Sequence, residues 1–439
     1  MRITVIGAGY VGLVTGVCLA DFGHSVDVID IDASRIERLK AGHSPIFEPG
    51  IERLITHNLE SGRLAFSMDL ESSVRAASVV FIAVSTPSSD TGEADIRYLF
   101  TAVDQVAAIL SQHPSETPTI LVVKSTVPVG TCTSVRTRLL NVGIGEDRCI
   151  VVSNPEFLRE GNAIGDCLNP ERVVIGAESA VAFDRMKSLY HPYVAREIPF
   201  VEVSLAAAEH IKYASNAFLA VKISFINELA LLCEKTHTDV LEVARGMGLD
   251  ARIGPSFFMP GPGFGGSCFP KDIRALEAVG QKNGVELKLL GAVDLINKRQ
   301  KRHVVNQVLT RLSGISAPIV AVLGLAFKAN TDDMRDAPAL DILPALIANG
   351  AMIQAYDLVA ADNARPLLGE HVRYCSSAMA AAADADVLLI LTEWNEFYDI
   401  DLMALKSQMR TPTIVDTRRV IDPKSATRAG FNYYGIGRA

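Results

Sequence analysis

The sequence has no surplus of basic charge: 42 Lys and Arg stand against 50 Asp and Glu, a net charge of −8 over 439 residues. That balance argues against a role on nucleic acid or on an acidic membrane surface, where a basic patch supplies the attraction. It leaves small phosphorylated ligands open, because a few local Lys and Arg residues can override a global balance. Cysteine is equally uninformative as a scaffold. The seven cysteines are odd in number and scattered without CxxC spacing, which points to reduced cytosolic thiols and against a structural zinc site. The nine histidines are dispersed as well, so no metal is expected. The opening MRITVIGAGY runs from a strand into a glycine turn, with no charged leader, apolar core and cleavage site of a secretory signal. No uninterrupted apolar run approaches membrane-spanning length. The expectation is a cytoplasmic chain with neither a membrane nor a nucleic-acid partner.

What is present is globular. Hydrophobic residues make up 49% and charged residues 21%, and 439 residues are too many for one ordinary core, so two or three domains are expected. The first half alternates short apolar strands with helical stretches: RITVIGAGYVG, then a helix over Tyr10 to Asp21, then HSVDVID, ASVVFIAVSTP and TPTILVVKST. This βαβ rhythm implies a parallel sheet wrapped by helices. The rhythm returns after about residue 316 in APIVAVLGLAF, a helix in ALDILPALIANG, AMIQAYD ending in Asp357, ADVLLILTEW and TPTIVDTRRV. Between them, Ser204 to Glu234 lacks Gly and Pro and is rich in helix formers; Asp294 to Leu312 suggests another helix.

In GAGYVG, Gly7, Gly9 and Gly12 fit GxGxxG, with Tyr10 and Val11 inside the motif. The glycines supply a tight turn, a bare backbone beside a pyrophosphate and close helix–strand packing, while the following helix offers free N–H groups. A lone match is weak; this one ends an N-terminal strand, opens a helix and is followed by an acid, Asp30, at the next strand end. A carboxylate there accepts both ribose hydroxyls and repels the extra phosphate of NADP. Arg35 is a contrary signal, since a nearby Arg accommodates a 2′-phosphate; the strand-tip position of Asp30 favours NAD, with a flavin or another dinucleotide as the alternative. The fold class expected is therefore α/β, two Rossmann-like doubly wound domains joined by a long central helix. The boundaries are 1–200 for the cofactor domain, 201–300 for a helical connector and 301–439 for a second domain adapted to a different ligand.

The most informative stretch is GPGFGGSCFPKD, residues 261–272. Its glycines and prolines fix an irregular backbone around Ser267 and Cys268, and Lys271 and Asp272 follow. A nearby cation favours a thiolate over a thiol whose unperturbed pKa is about 8.5. The plain alternative, a small buried hydrophobe, suits the other six cysteines better than Cys268. Glu209, Lys212 and Asn216 are spaced i, i+3, i+7 and share a helix face. Alone they read as a solvated face; beside a nucleophilic cysteine they read as donors to a developing oxyanion. In NPEFLREG, Glu156 and Glu160 follow a strand, and KSTVPVG puts Thr126 at a strand end, where ligands of such sheets bind; local caps are the alternative for each.

GAGYVG, KSTVPVG, NPEFLREG, EHIKYASN, GPGFGGSCFPKD and GLAFKANTDD occur in this order, and the chain resembles the family of UDP-glucose and GDP-mannose dehydrogenases from end to end. The resemblance implies NAD in the N-terminal domain and the nucleotide part of a sugar substrate in the C-terminal one. It implies Cys268 as nucleophile, Lys212 and Asn216 as a polarising pair, Asp272 as a helper oriented towards water, and Thr126 and Glu156 as positioning the hydrolytic water. Glu160, Lys271, Arg335 and Thr86 would touch the cofactor. Phe157 and Leu158 would join Glu156 at the substrate, with Phe257, Phe258, Met259, Pro260, Gly261, Gly265 and Lys328. Arg252 and Arg418 would bind the diphosphate or sugar, the former supplied by a partner subunit, so a homodimer is expected. The implied reaction is a double oxidation of a sugar alcohol to the acid through a cysteine-bound intermediate.

ARIGPSFFMPGPGFGGSC and DTRRV favour UDP-glucose over GDP-mannose or another nucleotide sugar, although Met259 stands where many UDP-glucose members carry Lys or His. Two further alternatives remain at this level: a single-step 3-hydroxyacid dehydrogenase, and a nucleotide-sugar sensor that has lost turnover.

Overall fold

Strands of three to five residues, rich in Val and Ile and buried on both faces in the central strands, are what a parallel sheet covered by helices requires. A computed structural model of the chain describes residues 1–89 and 92–438. These form two compact units, Met1–Ser215 with Arg274–Gly284, and Asn216–Ile273 with Val285–Ala439. The segment 201–300, expected as a connector of its own, is shared out between the two.

In the first unit β1 (Arg2–Ile6), β2 (Ser25–Ile29), β3 (Leu64–Ser67), β4 (Val79–Ile82), β5 (Thr119–Val123), β6 (Cys149–Ser153), β7 (Val173–Gly176) and β8 (Phe200–Val203) form one sheet in the order β3-β2-β1-β4-β5-β6-β7-β8. All neighbours are parallel except β6 and β7, which meet antiparallel at Ser153 and Gly176. Successive strand residues feed opposite layers: Val5 and Val122 pack on one side, Ile6 and Val123 on the other. The strand order reverses between β1 and β4, which is where ligands bind in open α/β sheets.

The second unit repeats this plan with β9 (Ile319–Leu323), β10 (Met352–Tyr356), β11 (Val372–Tyr374), β12 (Val387–Ile390), β13 (Thr413–Asp416) and β14 (Asn432–Gly435), all parallel in the order β11-β10-β9-β12-β13-β14. The repeat extends to hydrogen bonds. Gly7 N–H donates to Ile29 O at 2.7 Å and Gly324 N–H to Tyr356 O at 2.8 Å. Ala8 N–H donates to Asp30 Oδ2 at 2.7 Å, and Leu325 N–H to Asp357 Oδ2 at 2.7 Å.

The two turns then part. In the first the helix begins at once, at Tyr10. In the second the helix begins only at Pro338, and residues 326–337 loop out between strand and helix. Asp357 also accepts from the N–H groups of Ala326, Val359 and Ala360 at 3.0–3.1 Å and from Trp394 Nε1 at 3.3 Å. The acid at the strand tip thus spends its capacity on the fold.

The long helix spans Leu205–Thr236, close to the expected 204–234, and the helix expected from Asp294 begins earlier, at Lys288. By length and composition alone the Leu205–Thr236 helix is long and apolar enough to cross a membrane, but Glu209, Lys212, Lys222 and Glu228 interrupt it, so it holds no uninterrupted apolar run of that length. Its polar positions Glu209, Lys212, Asn216 and Asn227 are buried, and each is hydrogen-bonded to a protein group.

Removing the Asp357 carboxylate leaves buried N–H donors without an acceptor, each costing about 1–3 kcal/mol. Asp357→Ala is therefore expected to lower stability by roughly 3 kcal/mol or more, measured by denaturant unfolding; an unchanged midpoint contradicts the structural role given to this acid.

Candidate active site

The glycine turn of the first unit is built as the motif requires. Gly7 has φ +101°, and a Cβ on Gly12 would lie 1.9 Å from Gly7 O, so the helix packs directly on the turn. At Gly9 a Cβ would meet nothing within 4 Å, leaving the backbone bare towards a ligand. Asp30 is buried at the strand tip and pairs with Arg35 at 3.0 Å, so the Arg that would welcome a 2′-phosphate is held by the strand-tip acid. These residues fit a dinucleotide without the extra phosphate. Tyr10, inside the motif with Val11, donates its hydroxyl to Glu48 and accepts from Gly161 N–H at 2.8 Å. Burial and the Glu48 carboxylate hold that phenol protonated, its pKa raised above the ordinary tyrosine range. Glu48 also accepts from Gly161 and Ala163 N–H, both at 2.7 Å. Sequence reasoning passed over Glu48, whose partners lie 38 residues away at Tyr10 and more than a hundred away at Gly161 and Ala163.

At the neighbouring strand ends, Thr86 Oγ1 donates to the carbonyl of Thr126 at 2.8 Å. Glu156 lies buried just beyond β6 and forms an ion pair with Lys212 Nζ at 2.9 Å. Burial alone would raise the Glu156 pKa; the Lys212 ammonium, the Leu158 N–H and the charge of Lys124 outweigh it, and the carboxyl sits below its ordinary value. Phe157 stacks under the same cation, with Lys212 Nζ 5.4 Å from its ring centre. Glu160 is half-buried nearby. Glu209, one turn before Lys212, is a cap: it accepts from Gly130 N–H at 2.6 Å and Cys132 N–H at 2.7 Å, and burial pushes its pKa up despite these bonds.

In the second unit Cys268 sits at the head of the helix Phe269–Lys282, where its carbonyl accepts from Asp272 N–H at 2.8 Å. Its sulfur is half-buried and lies 3.5 Å from Ser267 Oγ. The helix N-terminus favours negative charge beside it. Asp272, 1% exposed, is gripped by Asn216 Nδ2 and Lys271 Nζ, both at 2.6 Å. The expected orientation of Asp272 towards water is thus a carboxylate buried between two donors. Of the other cysteines, Cys18, Cys132, Cys149 and Cys233 are buried as expected, whereas Cys167 and Cys375 are only half-buried.

The glycine loop ahead of Cys268 is held by carboxamides the sequence did not single out. Asn227 Oδ1 accepts from Gly261 N–H at 2.8 Å, Gln300 Nε2 donates to Gly261 O at 2.8 Å, and Asn297 bonds both N–H and O of Phe264 at 2.8 and 3.0 Å. Gly266 N–H donates to Arg335 O at 2.8 Å, and a Cβ on Gly265 would lie 2.3 Å from Asp336 O. The loop 326–337 that displaced the second unit's helix is therefore the surface against which the cysteine loop packs. It also carries Lys328, whose Nζ lies 5.4 Å from the Phe327 ring centre. Arg418, past the end of β13, donates to Leu391 O and Phe327 O at 2.8 Å, and a Cβ on Gly261 would be 3.5 Å from its Nη1.

The second unit thus gathers Gly261, Gly265, Lys328 and Arg418. Phe258 and Pro260 are buried beside them, while Phe257 adopts φ +68°. Met259 is 60% exposed, and the Arg252 and Arg335 guanidiniums face outward, forked on Asp250 and Asp333.

A doubly wound sheet with this glycine turn and strand-tip acid defines an NAD-dependent oxidoreductase. Residues 1–194 match the NAD binding domain of the UDP-glucose/GDP-mannose dehydrogenase family, residues 206–299 its central domain and residues 321–423 its UDP binding domain. The chain is 47% identical to a UDP-glucose 6-dehydrogenase of Rhizobium meliloti, with all of both chains covered. It is 45% identical to the UDP-glucose 6-dehydrogenase TuaD of Bacillus subtilis, over 100% of this chain and 93% of that one. Among solved structures it resembles a UDP-glucose dehydrogenase from Pyrobaculum islandicum, with TM-score 0.91, 39% identity, and 100% and 98% of the two chains covered. The chain belongs to the UDP-glucose/GDP-mannose dehydrogenase family.

Gly265→Ala must push the cysteine loop off Asp336. With reacting groups displaced by even about 1 Å, kcat/KM is expected to fall on the order of 100-fold while thermal unfolding changes little. Wild-type turnover in this variant would show that the close approach is dispensable.

Proposed function

We propose that the chain catalyses the NAD-dependent, four-electron oxidation of UDP-glucose to UDP-glucuronate, with two NADH formed per sugar. The observation that carries the reading is Cys268, a half-exposed thiol at a helix N-terminus, beside an Asp272 fixed by Asn216 and Lys271. The relatives at 45% and 47% identity, matched over the whole of this chain, are named for UDP-glucose.

NAD accepts a hydride in each of the two oxidations. The residues of the chain do the rest. When the C6 alcohol has become an aldehyde, the Cys268 sulfur adds to C6 and the carbonyl oxygen becomes an oxyanion. Lys212 and Asn216, one helical turn apart on the helix Leu205–Thr236, donate hydrogen bonds to it. An ammonium has three N–H groups and a carboxamide two, so each can serve a carboxylate and a substrate oxygen together. Loss of the second hydride leaves a thioester. Glu156, kept ionised by Lys212, takes a proton from water that Thr126 helps to place; the water oxygen bonds C6, and the sulfur leaves as thiolate. Covalent capture keeps the aldehyde from escaping between steps. Phe257, Phe258, Met259, Pro260, Gly261, Gly265, Lys328 and Arg418 are assigned to the nucleotide sugar, and Gly7, Gly9, Tyr10, Val11, Gly12, Asp30, Arg35, Thr86, Glu160, Lys271 and Arg335 to the cofactor.

We propose further that the chain works as a homodimer in the cytoplasm. The long helix exposes Phe218, Phe225 and Leu232, seven residues apart, by 63%, 46% and 57%. A stripe of that period suits a second copy, and Arg252, exposed and already paired with Asp250, is assigned to the partner's diphosphate. All seven cysteines are free thiols, which suits a reducing compartment.

With purified protein and a panel of UDP-glucose, GDP-mannose and UDP-N-acetyl sugars, UDP-glucose is expected to give two NADH per acid. A ratio of one, or no turnover of UDP-glucose, rejects the reading. Cys268→Ser is expected to bind both ligands and form no acid. For the assembly, Phe225→Asp is expected to halve the mass seen by sedimentation; a wild-type chain that sediments as a monomer refutes the dimer.

A further inference from the structure

Lys124 follows β5 directly, and Asn154 follows β6, the two strand ends lying in register with Val123 opposite Ser153. The Lys124 side chain is buried, and its ammonium donates to Asn154 Oδ1 at 3.1 Å. The same oxygen accepts from the Tyr190 hydroxyl at 2.7 Å, and Asn154 Nδ2 donates to Val174 O at 2.8 Å. A cation buried against a neutral carboxamide is costly, and a neutral donor would satisfy the same bond. Retaining charge there calls for a use of the charge itself.

The surroundings supply one. Glu156 comes from the loop two residues beyond Asn154, Lys212 from the long helix, Cys167 from the helix Ala163–Leu168, and Tyr190 from the end of the helix Ala180–Leu189. Burial brings the Lys124 pKa down to about 8, opposed by Cys167 and Glu156 and assisted by Lys212. Cys167 lies further against Cys18 and Tyr193. Within this set Glu156 is the carboxylate, and it feels two ammonium groups, Lys212 by direct contact and Lys124 through the interior.

We propose that Lys124 is a positioning residue for the hydrolytic step: its buried charge acts with Lys212 to hold Glu156 as the carboxylate that takes the proton from water. This rests on the reading that Glu156 activates that water. The sign follows from charge. Glu156 remains ionised, and hydrolysis proceeds, down to its depressed pKa. Taking away one of two neighbouring cations raises that pKa, so activity is lost at a higher pH as acid is added.

The test is the pH dependence of kcat for the full chain with NAD and UDP-glucose. Lys124→Met, which keeps length and removes charge, is expected to move the acid limb upward by about half a pH unit to one unit, with KM for both substrates within about 2-fold. Asn154→Asp, close in shape to the original, places an anion beside Lys124 and is expected to move the limb the same way; it keeps the test alive if Lys124→Met does not fold. A lowered kcat with the limb unmoved in both variants overturns the proposal, since loss of packing alone slows the enzyme without shifting a titration. Glu156→Gln separates the two readings. If its acid limb is intact and hydrolysis is normal, the assignment of Glu156 fails whatever Lys124 does. If Glu156→Gln loses the limb while the Lys124 and Asn154 variants keep it in place, only the role of Lys124 fails.

Discussion

The pair between Lys212 and Glu156 is the contact on which the seating of the long helix against the first unit's strand ends depends. Both groups are almost fully buried, with side chains 4% and 6% exposed, and each alone would carry a large desolvation penalty. Together they fix the long helix against the strand ends where Thr126 and Glu156 stand. The surrounding bonds serve this pair. Glu209, a turn earlier on the helix, caps the segment after Thr126; Leu158 N–H turns the Glu156 carboxylate; Phe157 lies beneath the ammonium. A buried ion pair is a weak source of stability but a strict demand on geometry.

The second unit shows how a repeated fold comes to hold a different ligand. Its first strand, glycine and strand-tip acid superpose in role on those of the first unit. The change is an insertion after the glycine turn: residues 326–337 replace the abrupt helix start, present Lys328, and receive the cysteine loop through Arg335 O and Asp336 O. The acid follows suit. Asp30 accepts from two backbone N–H groups, of Ala8 and Asp32, and from the Arg35 guanidinium, whereas Asp357 accepts from four backbone N–H groups and Trp394.

Much of this was legible in the chain. The helix over Tyr10 to Asp21, the tip position of Asp30, the second α/β half and the cysteine loop all announce themselves through local signals: glycine spacing, buried apolar runs, a helix without Gly or Pro. What escaped is long-range. Glu48 meets Gly161 across 113 residues, Asn297 meets Phe264 across 33 and Asn216 meets Asp272 across 56. No local pattern marks an Asn or Glu as the partner of a distant backbone N–H. Residues 206–299 match a central domain of their own, while packing joins 201–215 and 274–284 to the first unit and the rest of 201–300 to the second.

The saturated carboxylate of Asp357 carries a consequence for traffic between ligands. A dinucleotide entering the second unit in the manner of the first would have to take its ribose bonds from an acid that already serves four main-chain donors and an indole. Two halves with a shared look therefore differ at the very acid that their common plan places at the strand tip. The second unit thus keeps the outline of a dinucleotide fold while its strand-tip acid is committed to main-chain donors after the glycine turn and after its own strand.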